Sequence, residues 1–219
     1  MTVSFVEFFV EEPSAEAALR SLVPKILGEA AFDVHAFAGK PELLQRLPQR
    51  LRGYSKWIPE GWRIVVLLDE DREDCLGLKR TVERMAREAG LGPKPPRRVV
   101  PFRVLTRLAV EELEAWYFGD VAALRVPYPR VPATLGRKAK FRDPDAIKGG
   151  TWEQLEGVLQ QAGYHKGGLA KIRLARDVAP HMAPQHNRSN SFQVFRDGLL
   201  ALRSRPDAIR CGRPPASGG

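Results

Sequence analysis

Hydrophobic positions along the first half of the chain switch between two periods. Residues 3–10 (Val3-Ser4-Phe5-Val6-Glu7-Phe8-Phe9-Val10) form a short apolar run rich in β-formers, which predicts a buried first strand. After Pro13, apolar residues recur at Leu19, Leu22, Val23 and Ile26, the spacing of one helix face. Ser14 is a candidate N-cap for that helix, and Pro24 predicts a kink or an early end. Residues 32–37 alternate imperfectly and predict a second strand. Leu43, Leu44, Leu47 and Leu51 predict a helix over 41–51 despite Pro48. The clearest strand is 62–68, where Trp62-Arg63-Ile64-Val65-Val66-Leu67-Leu68 is almost continuously aliphatic, as in a parallel strand covered on both faces. An amphipathic helix over 74–89 with Gly90 as its stop, a fourth strand over 99–105 and a helix over 110–118 complete this half.

Strand and helix in strict alternation specify an α/β class with a doubly wound, mainly parallel sheet flanked by helices. Right-handed crossovers bring the carboxyl ends of such strands to one edge, and ligands bind there. Beyond Asp120 the texture changes. Residues 126–150 are rich in Pro, Arg and Lys and read as a long surface segment with little regular structure. Helices are expected over 151–161, 168–178 and 191–203, followed by a basic, Pro/Gly-rich end that should fray. The expected organisation is an α/β domain over 1–125, a basic loop and mostly helical extension packed on it over 126–205, and a disordered tail over 206–219.

Charge adds a direction. The chain has 219 residues and a formal net charge of +9, but residues 1–120 hold 18 Lys+Arg against 19 Asp+Glu, whereas 121–219 hold 17 against 7. An acidic half joined to a basic one suggests an acidic site beside a surface that attracts polyanions; a solubilising basic face is the other reading. No apolar run approaches the roughly 20 residues of a membrane span. Met1 to Val10 lacks the basic start and cleavage site of a secretory signal. Two distant cysteines, Cys75 and Cys211, exclude a disulfide framework and make a cytoplasmic location the expectation. The four histidines show no zinc spacing, and Tyr164-His165-Lys166-Gly167-Gly168 is too short for a Walker-type loop.

The acids carry the candidate chemistry. Glu11-Glu12 and Asp69-Glu70-Asp71 each fall just after a predicted strand, on the ligand-binding edge. Side chains two apart on an extended strand point the same way, so Asp69 and Asp71 can converge on one hard cation such as Mg2+ or Mn2+. The bland reading is a solvated loop capping the next helix. Glu11 and Glu12 are placed to complete a metal site, to move a proton, or merely to face a helix N-terminus. Glu111, Glu112 and Glu114 lie on the helix predicted from Val110, with Glu111 and Glu114 sharing a face.

Three segments, Val10-Glu11-Glu12-Pro13-Ser14, Leu67-Leu68-Asp69-Glu70-Asp71 and Glu112-Leu113-Glu114-Ala115-Trp116-Tyr117-Phe118-Gly119-Asp120, resemble the motifs of an uncharacterised bacterial family, domain of unknown function 4276, regarded as Toprim-like. Lys138-Ala139-Lys140-Phe141-Arg142-Asp143-Pro144-Asp145 and Asn187-Arg188-Ser189-Asn190-Ser191-Phe192-Gln193-Val194-Phe195 extend the resemblance over residues 3 to about 202. It is similar in motif to OLD-family nucleases. The resemblance implies a Toprim-like sheet in which a Glu after the first strand and an Asp-x-Asp after a later one hold magnesium for phosphodiester chemistry. Glu11 matches the Glu, Asp69 and Asp71 match the pair, and Glu114 is a further candidate acid. Where many Toprim proteins have Gly after the Glu, this chain has Glu12.

The implied activity is a metal-dependent nuclease, in bacterial defence against foreign DNA and beside a separate ATPase partner. Candidate nucleic-acid contacts are Arg137, Lys138, Lys140, Arg142, Lys148 and Arg188, which suit sequence-independent binding to the phosphate backbone. Two other readings stand beside it: a non-catalytic subunit that binds a partner or nucleic acid through a degenerate fold, and a small-molecule phosphohydrolase.

Overall fold

A computed structural model describes residues 3–71, 74–95 and 102–203. Among them, four strands, β1 (Phe5–Val10), β2 (Ala31–Ala36), β3 (Trp62–Asp69) and β4 (Val104–Ala109), pair in parallel in the order β2-β1-β3-β4. Alternation along the strands sorts side chains between two layers. Val6, Phe8 and Val10 of β1, with Val65 and Leu67 of β3, enter one core. Phe9 of β1 and Ile64, Val66 and Leu68 of β3 enter the other. Helix α1 (Pro13–Leu27) covers the first layer; α2 (Lys40–Ser55) and α3 (Cys75–Glu88) cover the second.

That division follows from handedness. The crossover from β1 to β2 runs one way along the sheet and the next two run the other way, so right-handed connections place α1 on one face and α2 and α3 on the opposite one. The order reverses between β1 and β3. In an open parallel sheet this reversal opens a crevice outside the strand ends.

Both helices with internal prolines run through them, α1 past Pro24 and α2 past Pro48. Their buried leucines (Leu19 and Leu22; Leu43, Leu47 and Leu51) outweigh the single backbone bond each ring removes. Asp74 caps α3 by accepting the Leu76 N–H at 3.0 Å.

Three expectations are corrected. The fourth strand lies at Val104–Ala109, later than 99–105; the expected residues 99–101 lie outside the described ones. Arg107 obscured its pattern, for the guanidinium folds back to the Thr106 carbonyl and also donates to the Val194 carbonyl. The expected helix over 110–118 is only α4 (Ala115–Gly119), so Glu111 and Glu114 share no helix face. Residues 110–114 bond across to the β3 loop instead: Asp71 N–H donates to the Glu111 carbonyl at 2.9 Å and Glu111 N–H to Glu70 Oε2 at 3.3 Å. Residues 126–150 do carry little regular structure, as expected, but they are not wholly a surface segment. They form three single-turn 3-10 helices (Leu135–Arg137, Ala139–Phe141, Pro144–Ala146) pinned by buried Tyr128, Val131, Leu135, Phe141 and Ile147. Phe141 stacks on Phe118 at 5.0 Å.

The remaining helices, α5 (Val121–Arg125), α6 (Thr151–Gln161), α7 (Lys171–Val178) and α8 (Asn190–Arg203), build onto the α1 face. Helix α7 packs on α1, and α8 on β4 and α1. The expected tail over 206–219 lies outside the described residues.

Two motif segments meet as a clamp. Asn187 Nδ2 donates to the Trp116 carbonyl at 2.8 Å, and Arg188 N–H to the Gly119 carbonyl at 2.9 Å. Trp116 Nε1 donates to Ser191 Oγ, while Asp145 accepts from Ser189 Oγ and from Ser191 N–H and Oγ. Ser189 caps α8 through Phe192 N–H. A side chain at Gly119 would place its Cβ 2.0 Å from Asn187 Oδ1, so only glycine lets the two backbones approach.

Candidate active site

The ends of β1 and β3 are hydrogen-bonded neighbours at the point where strand order reverses. Glu11 leaves β1 there and its Oε1 accepts the backbone N–H of Asp69, the last residue of β3, at 2.7 Å. Gly39 N–H holds the Glu11 carbonyl at 2.8 Å, which brings the start of α2 to the same edge. Lys40, the first residue of α2, is buried and lies 2.9 Å from Asp71 Oδ2. Asp71 itself adopts a left-handed backbone, φ 51°, as does Glu111, φ 58°, in the loop bonded to it. Non-glycine residues in this region store backbone strain, which concentrates at functional sites.

A second group closes over the crevice from the α1 face. Lys171, the first residue of α7, lies 3.4 Å from Glu12 and 3.6 Å from Glu112, with its ammonium 5.4 Å from the Trp152 ring centroid. Ser14 also donates to Glu12, and Thr151 Oγ1 and Trp152 N–H at the start of α6 donate to Glu112. Glu114 is 1 % exposed; its Oε2, like the hydroxyl of Tyr117 one turn later, is buried with no hydrogen-bond partner among the described residues.

This density of acid changes their chemistry. Burial pushes the Glu11 carboxyl up to about 7 against the pull of the Asp69 N–H and Lys40, with Asp71 and Glu12 pushing the same way as burial. Glu114 also rises to about 7, again through burial first, with Lys171 opposing and Glu112 assisting. Asp69 is raised well above the usual carboxylate range by burial and then by Glu114 and Glu11. Burial, Glu114 and Asp69 raise the Tyr117 phenol. Lys171 goes the other way from an ordinary buried lysine: burial acts to lower it, and attraction to Glu114, Glu12, Glu112 and Asp69 overcomes burial and holds it charged.

The donor set consists of carboxylates, the hard oxygen ligands that suit Mg2+ or Mn2+, and the orphaned Glu114 oxygen is the type of atom a cation or its water would satisfy. Among the described residues, however, no three His, Cys, Asp or Glu side chains gather tightly enough to hold one ion as they stand. Glu11 and Asp69 meet; Asp71 turns to Lys40; Glu114 couples to Asp69 electrostatically.

The basic candidates lie elsewhere. Arg137, Lys138, Lys140, Arg142 and Lys148 are exposed and have no acidic partner within ion-pair distance among the described residues. Arg188 donates to the Gly136 carbonyl at 3.3 Å on the first 3-10 turn, a structural contact away from the acids. Sequence reasoning missed Lys40 and Lys171, and gave Glu112 no role. The lysines stand at helix starts with no motif around them; only the Glu112-Leu113-Glu114 spacing carried a signal, and the helix expected there pointed it the wrong way.

A family model, Domain of unknown function (DUF4276), matches residues 10–200. The chain belongs to this family. No curated protein matches it. Among solved structures it is similar to the C-terminal region of the Burkholderia pseudomallei OLD protein, at 18 % identity and a TM-score of 0.42, over 91 % of this chain and 100 % of that one. No helix among the described residues is long and apolar enough to cross a membrane.

Proposed function

We propose that this DUF4276 protein is a metal-dependent phosphodiesterase acting on nucleic acid, a nuclease with a Toprim-like centre. The observation that carries the reading is the meeting of Glu11 and Asp69 at the reversal point of the sheet, where burial first and neighbouring acids second disfavour the ionised form of both carboxyls. Glu11, Asp69 and Asp71 are the residues that would hold Mg2+ or Mn2+. The ion would polarise the scissile phosphate and acidify an attacking water. Glu114, with its acidity near neutrality, is suited to hold a proton at physiological pH and release it to a leaving oxygen. Lys171 offsets the charge of Glu12 and Glu112, keeping the rim of the site from repelling a phosphate. The motif resemblance supports reading such a nuclease as one that acts beside an ATPase partner in bacterial defence.

The test is cleavage of plasmid and single-stranded DNA with Mg2+ or Mn2+ by the full chain. Loss of cleavage in both Asp69→Ala and Asp71→Ala supports the reading; undiminished cleavage in either removes that residue from the centre.

A second reading has its own support. Lys40 already pairs with Asp71 and Lys171 with Glu12 and Glu112, an internally neutralised arrangement suited to a non-catalytic binding subunit. It predicts no Asp69-dependent heat on calorimetric titration with Mn2+, whereas the nuclease reading predicts a clear isotherm.

A further inference from the structure

Helix α6 connects the acid site to a second concave surface. Its first residue, Thr151, bonds Glu112, and Gln154, Val158 and Gln161 follow at intervals of three and four, one stripe along the same side of the helix. These last three line an open cleft of about 530 Å³ between α6 and the 3-10 turns at Leu135–Arg137 and Ala139–Phe141. At 1.5 Å per residue, the stripe from Gln154 to Gln161 runs about 10 Å, beginning one turn beyond the Glu112 contact.

The lining is of two kinds. Leu135, Phe141 and Val158, each less than a tenth exposed, form the apolar floor, while Arg130, Lys138 and Lys140 are exposed at the rim, and among the described residues no carboxylate lines the cleft. Arg130 is fixed: its guanidinium lies 4.3 Å over the Tyr164 ring and donates to the Gly163 carbonyl at 3.0 Å. An apolar floor with a one-sign rim complements a ligand that is flat and apolar in one part and anionic in another. Single-stranded nucleic acid is such a ligand, with phosphates for the cations and bases for the floor. A duplex keeps its bases stacked away from such a floor.

We infer that the cleft along α6 is the seat of a single nucleic-acid strand, held by Arg130, Lys138 and Lys140 through phosphates and by the Leu135–Phe141–Val158 floor through a base, and that the strand leaves it toward the acid site. The choice of ligand rests on the nuclease reading; the cleft and its charge do not.

The experiment measures fluorescence anisotropy of a labelled twenty-nucleotide thymidine strand with the full chain across a salt series. Lys138→Glu combined with Lys140→Glu is expected to weaken binding at least tenfold and to flatten the salt slope by roughly 1.4, about 0.7 for each lost phosphate contact on a single strand. Arg52→Glu combined with Lys56→Glu, the same charge change on exposed residues in and just after the last turn of α2 on the opposite face, is expected to stay within about threefold. Equal losses in the two variants, or none in the first, overturn the cleft as the seat. An abasic strand of equal length is expected to bind at least fivefold more weakly; equal binding overturns the base contact. Cleavage by Asp69→Ala is measured alongside. Lost cleavage with no effect of the cleft variant overturns the cleft and leaves the nuclease standing, and a cleft effect with Asp69-independent cleavage does the reverse.

Discussion

The carboxylate of Glu11 accepts the backbone N–H of Asp69 at 2.7 Å, joining the ends of two strands 58 residues apart. The contact fixes a buried acid beside a second one, with Lys40 at the same strand edge. Burial raises the pKa of both carboxyls and neighbouring acids add to it, while the Asp69 N–H itself pulls Glu11 back down; the first predictions follow from that crowding.

Glu11→Gln keeps an oxygen to accept the Asp69 N–H but removes the charge. The variant is expected to be as stable as the parent at pH 6 and more stable at pH 8, while its affinity for Mn2+ falls at least tenfold. Thermal unfolding at the two pH values and calorimetric titration read the outcomes separately. A variant that unfolds early at both would assign Glu11 a purely structural role.

Metal-free protein should lose stability with rising pH. Glu11 and Glu114 titrate at about 7 when folded against a usual 4.5, so each favours the folded state fully below about pH 4.5. That contribution disappears as pH rises through 7. One unit corresponds to about 1.4 kcal/mol, so the pair accounts for a loss of a few kcal/mol between pH 5 and 8. Urea unfolding in EDTA checks the slope, and millimolar Mn2+ at pH 8 should recover most of it by binding the ionised acids. A flat profile in EDTA contradicts the charge crowding.

Lys171→Met removes the cation between Glu12 and Glu112. Stability in EDTA at pH 8 is expected to fall by about 1.5–3 kcal/mol, the range for hydrogen bonds to charged groups. Affinity for Mn2+ should rise, because the ammonium and the metal ion compete for the same negative field. Weaker metal binding would instead show that Lys171 organises the ligands.

Gly119→Ala tests the clamp. Its Cβ would meet Asn187 Oδ1 at 2.0 Å and Ser189 N at 2.9 Å, in backbone that cannot give way without releasing α8. A destabilisation of about 3 kcal/mol is expected from overpacking and the lost Asn187 bond together, read by urea unfolding. Asn187→Ala in the same background should recover part of the loss.

The periodicity of apolar residues was enough to place β1, β3, α3 and α6, because a two-residue or 3.6-residue repeat is a local property that burial on one or two faces imposes directly. The same logic put Glu11 and Asp69 at strand ends, and parallel pairing puts strand ends together. The β4 position and the 110–114 loop were not legible: Arg107 sits in a strand because α8 offers it a carbonyl, and Glu111 leaves helix because the β3 loop offers its backbone partners. Lys40, Lys171 and the α6 cleft belong to the same class. Long charged side chains find their partners through the crossing of helices distant in sequence, and the sequence specifies those crossings only through the whole packed core. The chain by itself determined which acids stand at the strand ends; the tertiary structure decided which cations face them, that Asp71 turns to Lys40, and that α6 and the 3-10 turns enclose a cleft with a basic rim.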